Sequence, residues 1–395
     1  MEMYDQQQVH GEMVDDGGVG GELLLPEGDF ALLSHVAVDS TGRFSVSAVS
    51  FDPFEELLWA GHTGGRVVSY YGPALEKYTA FQTVPLNSEH MDIRALQAIE
   101  PGVLALSSKQ LACNRRQGLS HFVHSSMHFI DMHCMHRMPN APGTLVLGGN
   151  QQKMIQLDLE TRKEQRLLQI TQPNCMLLRS NSKFIFSADT SGSVTLRSLQ
   201  TLEGVHALQA HQGPISDFDV CGTKLITCGY SPRMGQLSTD RFLRIYDIRT
   251  LRPLPPITIS IAPSFIRFLP SYSDSRIVIA SDVGEFQVFE IGANGIFPCQ
   301  IDTQGSALFC LDSSPTKQCL AFGDAAGYVH LFSDRAEPVL NEEAWPTEFA
   351  DAPMPVPTIS FDDSLAPLAI IPLPFSADGE YLSDLPPELC KRVYR

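Results

Sequence analysis

One short pattern returns along this chain at intervals of about 40 to 45 residues, and that interval limits the fold more than any other feature. The unit is an apolar run, a small residue, a turn and a second apolar or alternating run. It reads LLWAGHTGGRVVSYY at 57–71, TLVLGGNQQKMIQLDLET at 144–161, FIFSADTSGSVTLRSL at 184–199, RIVIASDVGEFQVFEI at 276–291 and LAFGDAAGYVHLFSD at 320–334. The small residue before the turn falls at Gly61, Gly149, Ala188, Gly229, Ser281 and Gly323. The gap between Gly61 and Gly149 holds two periods, which places the weakest copy, VLALSSKQLACNRRQG, at 103–118.

The copy at 228–249, CGYSPRMGQLSTDRFLRIYDIR, carries an insertion at 231–239 inside its turn and closes on Tyr246-Asp247, where WD repeats place Trp-Asp. In three copies a Gly follows the turn-opening residue by three positions: Gly65 after His62, Gly192 after Asp189 and Gly327 after Asp324. That arrangement suits a side chain that caps backbone amides, followed by a residue tolerant of positive φ, and such turns join antiparallel strands. Seven copies at this period predict an all-β fold, a seven-bladed WD-repeat-type β-propeller over 31–334. A β-sandwich or a pair of barrels also has short strands and turns, but does not repeat one motif at a fixed interval.

Both flanks differ from the body. Residues 1–30 are acidic and Gly-rich, with eight acids and no Lys or Arg before Val36, and read as a disordered tail. The stretch 335–395 holds ten of the 27 prolines and eleven acids against four bases, and reads as an extended linker. The flanks carry −8 and −7 of the net −17, leaving −2 for the body. Bulk charge therefore gives no attraction for nucleic acid, although a local patch still can. With no run of 18 apolar residues and no basic, apolar leader, the chain reads as soluble and intracellular, with no membrane partner. The nine cysteines include no Cys-x-x-Cys pair, and most lie in or beside apolar runs, so they read as small buried hydrophobes.

Chemistry-bearing residues are sparse. Five of the twelve histidines fall between His121 and His136, joined by Cys134, but no cysteine pair accompanies them to complete a zinc set. Asp217 and Asp219 share one strand face with no third acid or His nearby, which suits a turn or blade-edge contact better than acid–base work. Arg115, Arg116, Arg137, Lys153, Arg241 and Arg244 are the local basic residues, and solvated surface positions are the simpler reading for them than phosphate contacts. No P-loop, nucleophile elbow or HExxH segment is present. We expect no catalytic, cofactor-binding or metal-ligating residue.

From 228 onward the resemblance to a known family becomes specific. CGYSPRMGQLSTDRFLRIYDIRTLRPLPPITISIAPSFIRFLPSYSDSRIVIAS, KQCLAFGDAAGYVHLFSD, PTEFADAPMPVPTISFDDSLAPLAIIPLP and LSDLPPEL resemble the fifth and sixth blades, last blade and linker of the catalytic subunit of the poly(A)-nuclease deadenylation complex. That resemblance implies a propeller, an adaptor-binding linker, an inactive ubiquitin-hydrolase-like domain and an exonuclease with four acidic metal ligands that shortens mRNA poly(A) tails by two-metal hydrolysis. The chain stops at CKRVYR, before the last two domains are expected to begin, so none of the four acids is carried over. The resemblance implies a non-catalytic docking role in the cytoplasm and P-bodies, beside a Pan3-type adaptor pseudokinase and poly(A)-binding protein on poly(A) mRNA. A WD-repeat module of another assembly, such as a ubiquitin-ligase substrate receptor, is the alternative. Expected partner contacts are Ser231, Pro232, Arg233, Met234 and Arg241 at the insertion, and Phe349, Phe361 and Phe375 in the linker, where exposed aromatics serve as anchors.

Overall fold

A computed structural model of the chain describes residues 30–349, apart from 40, 86–90, 172–173, 271–273 and 293–295. The described residues contain strands and turns and no helix. Each copy of the repeat contributes one antiparallel sheet, and there are seven. Blade one runs from the innermost strand outward as Val46–Phe51, Leu57–His62, Arg66–Tyr71 and Glu76–Gln82. Blade two is Ala95–Ile99, Gly102–Leu106, Gln110–Asn114 and Ser120–Ser125, so the weakest copy in sequence is nevertheless a full blade. Blade three is Met132–Met138, Ala141–Gly149, Lys153–Asp158 and Lys163–Gln169, and blade four is Leu177–Ser180, Phe184–Ala188, Ser193–Ser198 and Gly204–Gln209. Blade five is Ile215–Cys221, Lys224–Arg233, Phe242–Asp247 and Arg252–Thr258, with Gln236–Thr239 added to its second strand. Blade six is Phe265–Phe268, Arg276–Ala280, Glu285–Glu290 and Ile296–Gln300.

Blade seven takes three strands from the end of the ring, Leu308–Ser313, Cys319–Asp324 and Tyr328–Ser333, and its outermost from the beginning, Ala31–Ala37. Ala31 pairs with Ser333 and Ala37 with Tyr328. The ring is thus locked by backbone hydrogen bonds between the two ends of the body.

The apolar runs are continuous because the middle strands are buried on both faces, between the blade before and the blade after. Leu57–His62 and Cys319–Asp324 are buried at every position, whereas the outermost Glu76–Gln82 keeps exposed residues. The described core is seven clusters, one between each pair of neighbouring blades. Leu104, Leu106, Leu145 and Ile155 join blades two and three, Phe286 and Phe322 join six and seven, and Leu58, Val68, Ala321 and Leu331 join seven to one.

The turns work as their composition requires. Asp189 accepts from the amides of Ser191 (2.8 Å) and Ser193 (3.0 Å), and Asp324 from that of Tyr328 (2.8 Å). Gly192 and Gly327 lie at φ 89 and 91, and a side chain at Gly192 would strike the His211 carbonyl.

One polar clamp sits between blades one and two. Arg116 is not a solvated residue: it is 4% exposed and grips Asp52, 1% exposed, through Nε and Nη2, each at 2.9 Å. It also donates to the carbonyls of Ile99 and Glu100, and Trp59 donates its indole N–H to the same carboxylate at 3.0 Å. The clamp continues into the chain after blade seven. Leu340 is buried with the cluster of blades seven and one, Trp345 donates its amide to the Phe54 carbonyl and packs its ring 5.1 Å from that of Phe54, and Tyr78 donates to the Glu348 carbonyl at 2.7 Å. Removing one partner of a buried pair leaves the other charge uncompensated. Arg116→Ala is therefore expected to lower unfolding free energy by about 3–5 kcal/mol, read as a lower urea midpoint.

Candidate docking surface

The insertion in blade five is a second hairpin built on the first. Its strand Lys224–Arg233 runs past the end of the blade and pairs with Gln236–Thr239, Tyr230 opposite Thr239 and Arg233 opposite Gln236. The two-residue connection is Met234-Gly235, at φ 49 and 81, the geometry of a type I′ turn. Methionine is an unusual first residue there: the backbone is strained and its side chain, like that of Leu237, stands in water. Pro232 and Arg233 beside this apolar tip are exposed, and so is Arg241 just beyond the base of the hairpin. The five expected contacts of the insertion therefore lie in and beside one projection. Phe349 is exposed and stands at the end of the described chain, and Phe361 and Phe375 lie outside the described residues.

What anchors the projection was missed in the sequence. His211 comes from the link after blade four, Thr227 from the second strand of blade five and Asp240 from the residue that re-enters its third strand. The His211 Nδ1 and Asp240 Oδ2 atoms are 2.8 Å apart, and His211 Nε2 lies 3.1 Å from Thr227 Oγ1. Burial lowers the His211 pKa against the opposing pull of Asp240. Phe242 stacks on the His211 ring, and Ser231 donates its hydroxyl to Asp240 Oδ2 at 2.7 Å. Tyr246, at the Trp position of the motif, is buried and donates to the Gln209 carbonyl of blade four. The readable signal was Ala210-His211, in the place of the Gly-His half of the same repeat signature.

The other candidates do not gather into a site. Arg115 and Lys153 are exposed on blades two and three, Arg137 donates to the Pro142 carbonyl, and Arg244 lies over the Phe242 ring. The five clustered histidines are divided by the fold. His121 and His124 are on the outermost strand of blade two, and His128 follows it, whereas His133 and His136 are on the innermost strand of blade three. His128 Nδ1 is 2.7 Å from Glu164 Oε2; against the effect of burial, hydrogen bonds from Ser126 and His128 hold that carboxyl below the usual range. Among the described residues no group of three His, Cys, Asp or Glu is disposed to hold a metal ion.

The innermost strands enclose a central cavity of about 460 Å³ lined by polar groups from every blade, including Arg94, His136, Arg179, Arg267 and Asp312. Its charges are occupied with the ring. Asp217 accepts from Arg267 and from the Ile266 amide, and Asp312 from the Phe51 amide; farther along the same strand as Asp217, Asp219 accepts from the Phe268 amide. Asp217 and Asp219 are therefore ties from blade five to blade six.

Burial pushes the pKa of His62 and His136 down to about 4, so the folded chain holds both neutral. The unfolded chain takes up these protons below its ordinary histidine pKa near 6.5, so their contribution to stability is complete above that pH and falls between about 6.5 and 4. His62→Asn, the residue blade three uses at the matching Asn150, keeps a side chain able to cap the turn and removes one titration. The loss of urea midpoint between pH 7 and 4.5 is expected to be smaller in this variant.

A family model described as PAN2 N-terminal matches residues 27–333. The Gallus gallus protein named PAN2-PAN3 deadenylation complex catalytic subunit PAN2 is 40% identical over 369 residues, covering 92% of this chain and 30% of that one. The Homo sapiens protein of the same name is 38% identical over 387 residues, covering 94% and 31%. The chain thus spans under a third of the length of these relatives. The structure of the Neurospora crassa Pan2 WD40 domain matches with a TM-score of 0.73 at 20% identity, covering 81% of this chain and 99% of that one, a likeness that speaks to the fold.

Proposed function

Because the chain belongs to the PAN2 N-terminal family, we propose that it is the docking propeller of a poly(A)-specific deadenylation complex, positioning other components for a nuclease rather than cutting RNA itself. Its partners in this reading are a Pan3-type adaptor pseudokinase and poly(A)-binding protein on poly(A) mRNA, with RNA contact indirect, and its place is the cytoplasm and P-bodies. The names of the relatives, each a catalytic subunit of a PAN2-PAN3 complex, support the adaptor. The Pro-rich stretch 335–395 acts as the linker in this reading, with Leu340 and Trp345 holding its start against the ring and Phe349, Phe361 and Phe375 as anchors.

The observation that carries the docking role is the projection on blade five. Exposed apolar side chains occur elsewhere on this surface, Met127 among them, but at Met234 exposure coincides with a positive-φ backbone on a hairpin that projects from its blade, with Leu237 exposed beside it. Here that hairpin is fixed at its base by a buried His–Asp–Thr set in a ring closed by its own first strand. A rigid anchor lowers the entropy lost on binding, and apolar tips flanked by arginine are effective contact residues. Ser231, Pro232, Arg233, Met234 and Arg241 are accordingly the proposed contacts.

Retention of recombinant adaptor and of poly(A)-bound poly(A)-binding protein on the immobilised chain tests this. Met234→Asn combined with Leu237→Ser keeps a residue suited to the turn while removing the apolar tip. We expect this pair to weaken retention of at least one partner by about tenfold or more, the effect of losing a contact worth about 1.4 kcal/mol, with an unchanged thermal midpoint. Equal retention by both forms would remove the hairpin from the interface. Incubation with Mg²⁺ and a poly(A) oligonucleotide is expected to leave the oligonucleotide at full length.

A further inference from the structure

The chain contains two Ser-Pro dipeptides, and the fold treats them oppositely. Ser314 is fully buried and its hydroxyl accepts from the Cys319 amide at 3.0 Å, so it is closed to an enzyme. Ser231 is half-buried on the stalk of the blade-five hairpin, immediately before exposed Pro232, Arg233 and Met234. Four residue pairs hold that hairpin together, so a short local opening is enough to present the segment.

The Ser231 hydroxyl is also a side-chain link from the stalk to the blade, beside the backbone bonds that Tyr230 makes with Gly213 and Pro214. Its proton goes to Asp240 Oδ2, the oxygen that already meets His211, while Asp240 Oδ1 has no hydrogen-bond donor and lies 3.7 Å from the Arg233 guanidinium. Asp240 is 1% exposed, so it cannot turn away into water.

We propose that Ser231 is a phosphorylation site for a proline-directed protein kinase, and that its modification releases the hairpin as a docking element. This rests on the hairpin being a docking element. In the transfer, the Ser231 Oγ forms a bond to the γ-phosphorus of ATP and the bond to the bridging β–γ oxygen breaks. ADP leaves with that electron pair, and the hydroxyl proton passes to the base of the kinase. The product no longer has a proton to give Asp240, and it sets a group of charge about −1.5 to −2 against a buried carboxylate. The phosphoryl group is driven outward, where Arg233 and Arg241 stand. The exposed charge of the hairpin then falls from that of two arginines to near zero, and the stalk loses its side-chain tie to Asp240 while its strand stays continuous with blade five.

The test uses the full 395-residue chain, folded, with Mg-ATP and a purified cyclin-dependent or mitogen-activated protein kinase. Peptide mass mapping is expected to find one phosphate per chain on Ser231, none with Ser231→Ala, and transfer retained with Ser231→Thr. In the phosphorylated chain, amide hydrogen exchange across the hairpin is expected to quicken by about tenfold, with the seven blades unchanged. Phosphate found only on other residues, or only after the chain is heat-unfolded, overturns the site; unchanged exchange overturns the release. Neither readout involves a partner, so a hairpin that binds nothing and a Ser231 that is not modified give separate results.

Discussion

The whole molecule depends on one pairing: the strand Ala31–Ala37 laid against Tyr328–Ser333. No blade has a core of its own, because the apolar residues of each are buried only against its neighbours, and seven such contacts require a closed circle. If the ring opened between blades seven and one, the faces carrying Leu58, Val68, Ala321 and Leu331 would meet water. Leu58, Val68 and Leu331 are each worth about 1.5–3 kcal/mol buried, so their loss alone is comparable with much of the roughly 5–15 kcal/mol by which domains are stable. Taking the last blade's outer strand from the other end of the body makes closure part of the backbone hydrogen bonding, so the ring cannot open without breaking a sheet.

That dependence explains why the blades were legible in the sequence and the closure was not. A middle strand such as Leu57–His62 is buried on both sides in every blade, so it is written as an unbroken apolar run followed by a Gly turn, a local signal that recurs. The closing strand carries no local mark of its partner, which lies almost 300 residues away. A shorter separation, 64 residues, hid the role of Arg116. In sequence it is half of an Arg-Arg pair beside a turn, the usual look of a solvated loop; in space it meets Asp52, a residue of the preceding repeat. Asp217 and Asp219 could be read as blade-edge ties because two acids on one strand face without a third catalytic partner leave little else to do.

The candidate surface was legible as an insertion but not as a structure. A loop rich in Gly, Pro and Ser gives no strand pattern, and Met234-Gly235 is not one of the dipeptides that announce a two-residue hairpin. Its strand character comes from continuity: the second strand of blade five is already held in the sheet, and the insertion prolongs it beyond the edge. The anchor was hidden for a related reason. His211 and Asp240 are far apart in sequence and each is an ordinary residue alone; only the turn that Asp240 ends brings its carboxylate under the His211 ring.

The contrast between the cavity and the hairpin then follows from where each polar group finds its partner. On the axis, innermost strands crowd seven blades together, and the charges there meet one another or the backbone of the next blade: Asp217 with Arg267, Asp312 with the Phe51 amide. A ligand in that cavity must first break ties between blades, and part of its binding energy is lost in doing so. At the blade-five hairpin the balance is reversed. The polar demands are met at the base, by His211, Thr227 and Ser231 around Asp240 with Arg233 3.7 Å from its second oxygen, which leaves the exposed Met234 side chain free for a partner. A partner can cover the tip without disturbing the interior, and a change at Ser231 can disturb the base without opening the ring. The separation of closed axis from anchored projection fits the docking role proposed for this propeller better than it fits enclosure of a ligand.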